Sequence, residues 1–228
     1  MEKKDAKIVC LANLKGGVGK SFLTSFFASA LQQQGFNTLV IDADDLQHTV
    51  GMIRDRDLQK HESIDNLFEV IRTNSIDALD IINNTINDFD YIFIDIPGNF
   101  KQAGVIECIS FADILLIPTS LTDEDLDGVI QTLNILFEDV LPARNKTGLS
   151  TEIHGILYKV NNRSIEYNDF LKEKGNYPIK FFETVVPHSE VLKRQSSTIG
   201  ILNYDSKSFN VIDLVNEFNE KFKIFNNE

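Results

Sequence analysis

Ile8-Val9-Cys10-Leu11-Ala12-Asn13-Leu14-Lys15-Gly16-Gly17-Val18-Gly19-Lys20-Ser21 is the stretch that decides the fold. Its first five residues form a short apolar run of the kind buried on both faces of a sheet. A glycine-rich turn follows. From Ser21 to Gln34, Phe22, Phe26, Phe27, Ala30 and Leu31 then recur at helical spacing, and Gly35 marks the helix stop. Strand, glycine turn and helix in that order are the context a phosphate-binding loop requires. Gly16, Gly17, Val18 and Gly19 let the backbone N–H groups close around phosphate oxygens, helped by the positive end of the helix dipole. Lys20 is placed to neutralise the β- and γ-phosphates, and Ser21 to ligate Mg²⁺.

The same alternation continues along the chain. Thr38 to Asp44, Tyr91 to Gly98 and Asp113 to Ser120 read as further buried strands, His154 to Val160 as a fifth and Lys180 to Pro187 as a sixth. Ile64 to Ile71, Asp125 to Phe137 and Phe209 to Phe225 carry helical spacing, whereas Leu141 to Thr151, with Pro142, Asn145 and Gly148, reads as a surface loop. The expected fold is α/β, a doubly wound and mostly parallel sheet with helices on both faces. No repeat or linker interrupts it, so residues 1–228 are expected to form a single domain. In such sheets ligands bind outside the carboxyl ends of the strands, which gives weight to the polar residues found there.

Composition narrows the partners. Lys and Arg number 22 against 34 Asp and Glu, a net charge of −12 that repels DNA and anionic lipid at long range. The apolar runs fall far short of the roughly 20 residues needed to span a bilayer. The N-terminal MEKKDAK lacks the apolar core of a signal peptide, so a soluble, cytoplasmic protein is expected. Cys10 and Cys108 sit in no metal or redox motif and read as small buried hydrophobes.

Against the general pattern GxxxxGK[S/T], the place of the first glycine is taken by Leu14, and Lys15 follows it. In this the sequence resembles the deviant Walker A family of P-loop ATPases, which includes the ParA and Soj partition proteins, MinD and the nitrogenase iron protein. The resemblance implies that Lys15 reaches across an ATP-bound homodimer to the partner's phosphates, making Lys15 and Lys20 catalytic cations. It also implies that Asp44, in Asp42-Ala43-Asp44, helps place the attacking water. Asp42 and Asp95, the latter similar to a Walker B aspartate, would belong with Ser21 to the Mg²⁺ site. Pro97-Gly98 would open switch II, and Thr184 to His188, including Pro187, would contact the adenine.

The resemblance further implies ATP and Mg²⁺ as cofactors and a ParB-like stimulating partner. Non-specific DNA binding would run through Lys193 and Arg194, with association to the nucleoid. Six basic and seven acidic residues from Lys180 to Glu228 make that surface no more than locally basic. Two departures stand out: Asp45-Leu46-Gln47 shifts the switch I glutamine by one place, and Tyr158 stands where relatives often carry Asn or Thr. Without a cysteine pair the nitrogenase-like branch is excluded. Phe209, Ile212, Val215 and Phe218 read as a core-facing stripe, and stable membrane insertion is not expected. The leading expectation is an ATP-dependent dimerisation switch in plasmid, chromosome or mobile-element partitioning. The alternative is a MinD-like or cargo-positioning ATPase that does not act on DNA. A metabolic P-loop kinase or ligase fits less well, because Lys15 has no place in a simple kinase.

Overall fold

A computed structural model describes residues 5–61, 65–189, 197–199 and 210–222. The decisive stretch forms strand β1 (Lys7–Leu11), a glycine turn and helix α1 (Lys20–Gln33). Gly35 ends that helix as its spacing predicts. It lies at φ 92, with its N–H on the Gln32 carbonyl (3.0 Å) and the Phe36 N–H on the Leu31 carbonyl (3.1 Å). That double bond satisfies two carbonyls at the helix end, and the left-handed backbone it needs costs glycine least.

The other strands are β2 (Thr38–Asp42), β3 (Glu69–Arg72), β4 (Tyr91–Asp95), β5 (Ile114–Thr119), β6 (Glu152–Leu157) and β7 (Lys180–Phe181). They form one sheet in the order β3-β2-β4-β1-β5-β6-β7, and every strand pair in it is parallel. From β1 the chain first winds toward β2 and β3, and from β4 it crosses to β5 on the other side of β1. The direction therefore reverses beside the carboxyl end of β1, where doubly wound sheets open a crevice.

The helices α2 (Thr49–Lys60), α3 (Asp77–Thr85), α4 (Val105–Phe111), α5 (Asp123–Ile135), α6 (Leu141–Lys146), α7 (Ile165–Glu173) and α8 (Val211–Phe222) complete the order. Alternate residues of the central strands divide the core into two layers. Ile8, Cys10, Ile92 and Ile94 pack with residues of α3, α4 and α5, whereas Val9, Leu11 and Phe93 pack with α1 and α8. The Phe27 and Phe218 rings lie 4.7 Å apart, and Leu214, Val215 and Phe218 are buried, so Val215 and Phe218 of the expected stripe are core, whereas Ile212 is 37% exposed and Phe209 lies outside the described residues. Among the described residues no helix is long and apolar enough to cross a membrane.

Three sequence expectations need correction. The spacing over 64–71 predicts a helix, but β3 occupies Glu69–Arg72 at the sheet edge. There the half-exposed pattern of EVIR gives no buried run, and pairing with Leu39 to Asp42 overrides local periodicity. The expected loop Leu141 to Thr151 begins with α6. Its Pro142 sits in the first turn of α6, directly after a π-helical turn, Leu136–Val140, that joins it to α5. Arg144 fastens α6 to the sheet through Asp113 (2.8 Å) and the Ser110 carbonyl (2.6 Å). The expected sixth strand, Lys180 to Pro187, pairs only at Lys180–Phe181 and again at a lone bridge from Val186 to Tyr158. Lys193 and Arg194 lie outside the described residues.

Candidate functional site

Asn13, fully buried at the exit of β1, sets the start of the turn. Its Nδ2 donates to the Pro118 carbonyl (2.9 Å), and its Oδ1 accepts from the Lys15 N–H (2.8 Å). The Leu14 N–H donates to Thr132 Oγ1 on α5 (3.0 Å), so the loop is anchored to β5 and α5 before its glycines begin. Gly19 lies at φ 99, and a Cβ there would come within 2.3 Å of the Tyr158 ring. This position therefore excludes a side chain on both backbone and steric grounds.

A cavity of about 330 Å³ opens above the loop, lined among others by Gly16, Gly17, Gly19, Lys20, Ser21 and Asp44. Gln47 also lines it while Leu46 points outward at 85% exposure, so the shifted glutamine still faces the site. Lys20 is only 8% exposed. Its ammonium donates to the Asn13 carbonyl (3.1 Å) and the Lys15 carbonyl (3.3 Å), within the loop itself. Burial lowers its pKa, while Asp95 and Asp44 hold it up.

Lys15 is not among the residues lining this cavity. Its ammonium lies 3.1 Å from Glu124 in the first turn of α5, with the two side chains 40% and 82% exposed. Thr122 caps that helix by accepting from the Asp125 N–H. Three acids in its first turn, Asp123, Glu124 and Asp125, suit the helix dipole and draw the lysine to it.

Asp42 and Asp95 end the neighbouring strands β2 and β4, where they are register partners. Both are completely buried. Asp42 Oδ2 accepts from the Gly51 N–H of α2 (2.8 Å), but Asp42 Oδ1 and both Asp95 oxygens have no hydrogen-bond partner. Burial, reinforced by the Asp42 charge, pushes Asp95 up to about 7. Lys20 and Ser21, whose hydroxyl lies near without reaching hydrogen-bonding geometry, oppose that rise. Burial also raises Asp42.

Buried carboxylate oxygens without a hydrogen-bond partner, Asp42 Oδ1 facing only His48 Nδ1 at 3.8 Å, form beside a serine a donor set that a hard divalent cation fits. Mg²⁺ takes one or two carboxylates and completes its shell with water and phosphate oxygens.

The raised Asp95 carboxyl has a consequence for pH. A carboxyl moved from 3.8 to about 7 stabilises the fold without ligands fully below pH 4 and loses that contribution as pH rises through 7. The loss is at most roughly 4 kcal/mol, because each tenfold change in proton affinity is worth about 1.4 kcal/mol. Urea unfolding without nucleotide or divalent metal is expected to show the decline in the wild type and a flatter profile in Asp95→Asn. Parallel profiles would remove Asp95 as its source.

Pro187 lies in a neighbouring cavity of about 510 Å³, lined also by Asn161, Arg163, Val185 and His188. The residues Tyr158, Lys159 and Val160 run between the two spaces. Thr132, Glu124 and Lys159 carry no signal in the sequence, because they meet the loop only through the packing of α5 and the place of β6 in the sheet.

Known proteins resemble the chain at the level of family and fold. Residues 9–199 match the family described as the CobQ/CobB/MinD/ParA nucleotide binding domain. An uncharacterised ATP-binding protein of Methanocaldococcus jannaschii is 27% identical over 148 residues, covering 54% of this chain and 56% of its own. The chain thus spans little more than half the length of the first such relatives. The sporulation initiation inhibitor protein Soj of Bacillus subtilis is 24% identical, covering 89% of this chain and 92% of its own. Among solved structures, apo McdA from Cyanothece superposes with a TM-score of 0.69 at 21% identity, covering 93% of this chain and 99% of the other.

Proposed function

The chain belongs to the CobQ/CobB/MinD/ParA nucleotide-binding family, and from that premise we propose that it is an ATP hydrolase that works as a dimerisation switch in plasmid, chromosome or mobile-element partitioning. The observation that carries this is the placement of the two lysines. Lys20 is buried under the phosphate loop, whereas Lys15 stands outside the cavity on an exposed glutamate. A lysine that served only its own nucleotide would be expected to face its own cavity. Lys15 is positioned to be given to a second copy.

In this reading the loop N–H groups and Lys20 bind the phosphates, and Pro187 and its neighbours meet the adenine. Ser21, Asp42 and Asp95 hold Mg²⁺, which when bound offsets negative charge on the phosphates. Asp44 orients a water for in-line attack, and Lys15 from the second subunit stabilises charge developing on the phosphoryl oxygens. A basic segment of a ParB-like protein is the expected stimulating partner, acting in the cytoplasm or on the nucleoid. DNA contact would fall to Lys193 and Arg194. The net charge of −12 favours a second reading in which the load is a cargo other than DNA.

Size-exclusion with light scattering tests the switch, followed by duplex-DNA binding on the same samples. Asp44→Ala is expected to form a dimer with Mg·ATP but not ADP, and to keep it because turnover falls by roughly 10² or more. No ATP-dependent dimer in wild type or variant would sink the switch. A dimer that ignores DNA would move the assignment to the cargo reading.

A further inference from the structure

The end of β6 places a lysine over the phosphate loop that no motif of the loop accounts for. The Lys159 ammonium donates to the Gly17 carbonyl (3.0 Å) and stands 5.3 Å from the centre of the Tyr158 ring. Tyr158 itself lies against Gly19 and stacks on Phe22 at 5.5 Å. Together the two side chains cover the middle of the loop, and both line its cavity.

Three features of Lys159 bear on whether it serves a ligand. First, the backbone around it is fixed. The Tyr158 N–H donates to the Thr119 carbonyl (2.8 Å), the Val160 N–H to the Val186 carbonyl (3.2 Å), and the Val186 N–H to the Leu157 carbonyl (2.9 Å). The side chain can therefore move by rotamer change while its origin stays put. Second, Lys159 has φ 62, a left-handed conformation that disfavours a residue with a Cβ. Such outliers persist only where the surrounding structure over-determines them, and they cluster at active sites and ligand clamps. Third, an ammonium has three donors, and the Gly17 carbonyl takes only one of them. The ammonium is exposed at the mouth of a loop built to gather anionic oxygens. It also borders the cavity of about 520 Å³ lined by Ser120, Asn161 and Ser164, so it has room to swing.

Charge favours the same conclusion. The site holds Lys20 against the carboxylates Asp42, Asp44 and Asp95, and Lys15 is occupied by Glu124. Even with the Mg²⁺ proposed for this site counted, a triphosphate would leave it with excess negative charge, and Lys159 is a cation hydrogen-bonded to the loop from outside it. We propose that Lys159 is a further phosphate-binding residue, supplied by the same subunit. Without nucleotide it is held on the Gly17 carbonyl, and on binding it is transferred to the phosphate tail of the nucleotide. This rests on the nucleotide reading above.

The test is equilibrium binding of fluorescent ATP and ADP to the full chain, wild type, Lys159→Ala and Lys159→Arg, with inorganic tripolyphosphate as competitor. Lys159→Ala is expected to bind ATP and tripolyphosphate roughly tenfold more weakly, as for loss of one charge-assisted hydrogen bond. Its affinity should also fall less steeply with salt. Lys159→Arg should recover most of the loss. Unchanged or tighter ATP binding by Lys159→Ala would overturn the proposal, leaving the lysine as a plug of the unliganded loop. So would a loss seen with ATP but not with tripolyphosphate. Failure of the wild type to bind any of these ligands would instead overturn the nucleotide reading itself.

Discussion

Replacing Lys20 by glutamine is expected to weaken ATP binding by roughly a hundredfold or more while leaving the protein without nucleotide as stable as before, or more so. The ammonium is buried under the loop, and its two hydrogen bonds go to carbonyls of the loop itself. It has already been taken out of water. Phosphate oxygens would gain a desolvated cation that need not be reorganised at the moment of binding. Glutamine can donate to the same carbonyls but carries no charge, so the loop retains support and loses its attraction for phosphate. Removing one partner of a buried charge pair usually destabilises because the other charge is left uncompensated, but here protonation of Asp95 can relieve that. Losing the lysine leaves Asp95 with less opposing charge, which favours the neutral acid before nucleotide binds. Isothermal titration with ATP, alongside urea unfolding of the same samples, separates the two effects. An affinity within threefold of wild type would take Lys20 out of the phosphate site.

Lys15→Ala should have the opposite profile. Because Lys15 lies outside the cavity and its ion pair with Glu124 is exposed, ADP binding to one subunit is expected within about threefold of wild type. Stability should also change little, since exposed pairs contribute about 0 to 1 kcal/mol. Turnover, however, is expected to fall by roughly 10² to 10³. Cations supplied from a second molecule to a phosphoryl-transfer site are worth about 10³ to 10⁵ in rate, and a loss at or below the lower end of that range allows for Lys20 remaining in place. Phosphate release at saturating ATP measures this, and light scattering should show a weaker ATP-dependent dimer. Wild-type turnover in Lys15→Ala would mean that this lysine does not act across a dimer. The two lysines are five residues apart, yet one variant should fail at binding and the other after it.

How much of this is legible in the chain depends on how local its cause is. β1, β2, β4 and β5 carry near-continuous apolar runs because both of their faces are covered, and such runs are visible without knowing what covers them. The glycine turn and Lys20 are equally plain, since strand, turn and helix follow one another directly. β3 is not, because a short edge strand half-open to solvent has no run to see and is defined by its partner β2. α6 is hidden by Pro142, which breaks a helix interior but here directly follows a π-helical turn. At the site, the meeting of Asp42 with Asp95 is expected from resemblance. The reach of Lys159 to Gly17, across 142 positions, depends on β6 lying second from β1 in the sheet.

Helix α2 has a consequence of a mechanical kind. Near its start the Gly51 N–H holds Asp42, and six residues on, the Asp57 carboxylate grips the Thr198 N–H (2.7 Å) and the hydroxyls of Ser197 and Thr198. Arg54, between them, adds a bond to Thr198 Oγ1 (2.8 Å). These points are about 9 Å apart along a helix, at 1.5 Å per residue, and a helix over that span is stiff. The Asp42 carboxylate and residues 197–199 are therefore tied to the two ends of one short rod, which gears those residues to the floor of the phosphate pocket.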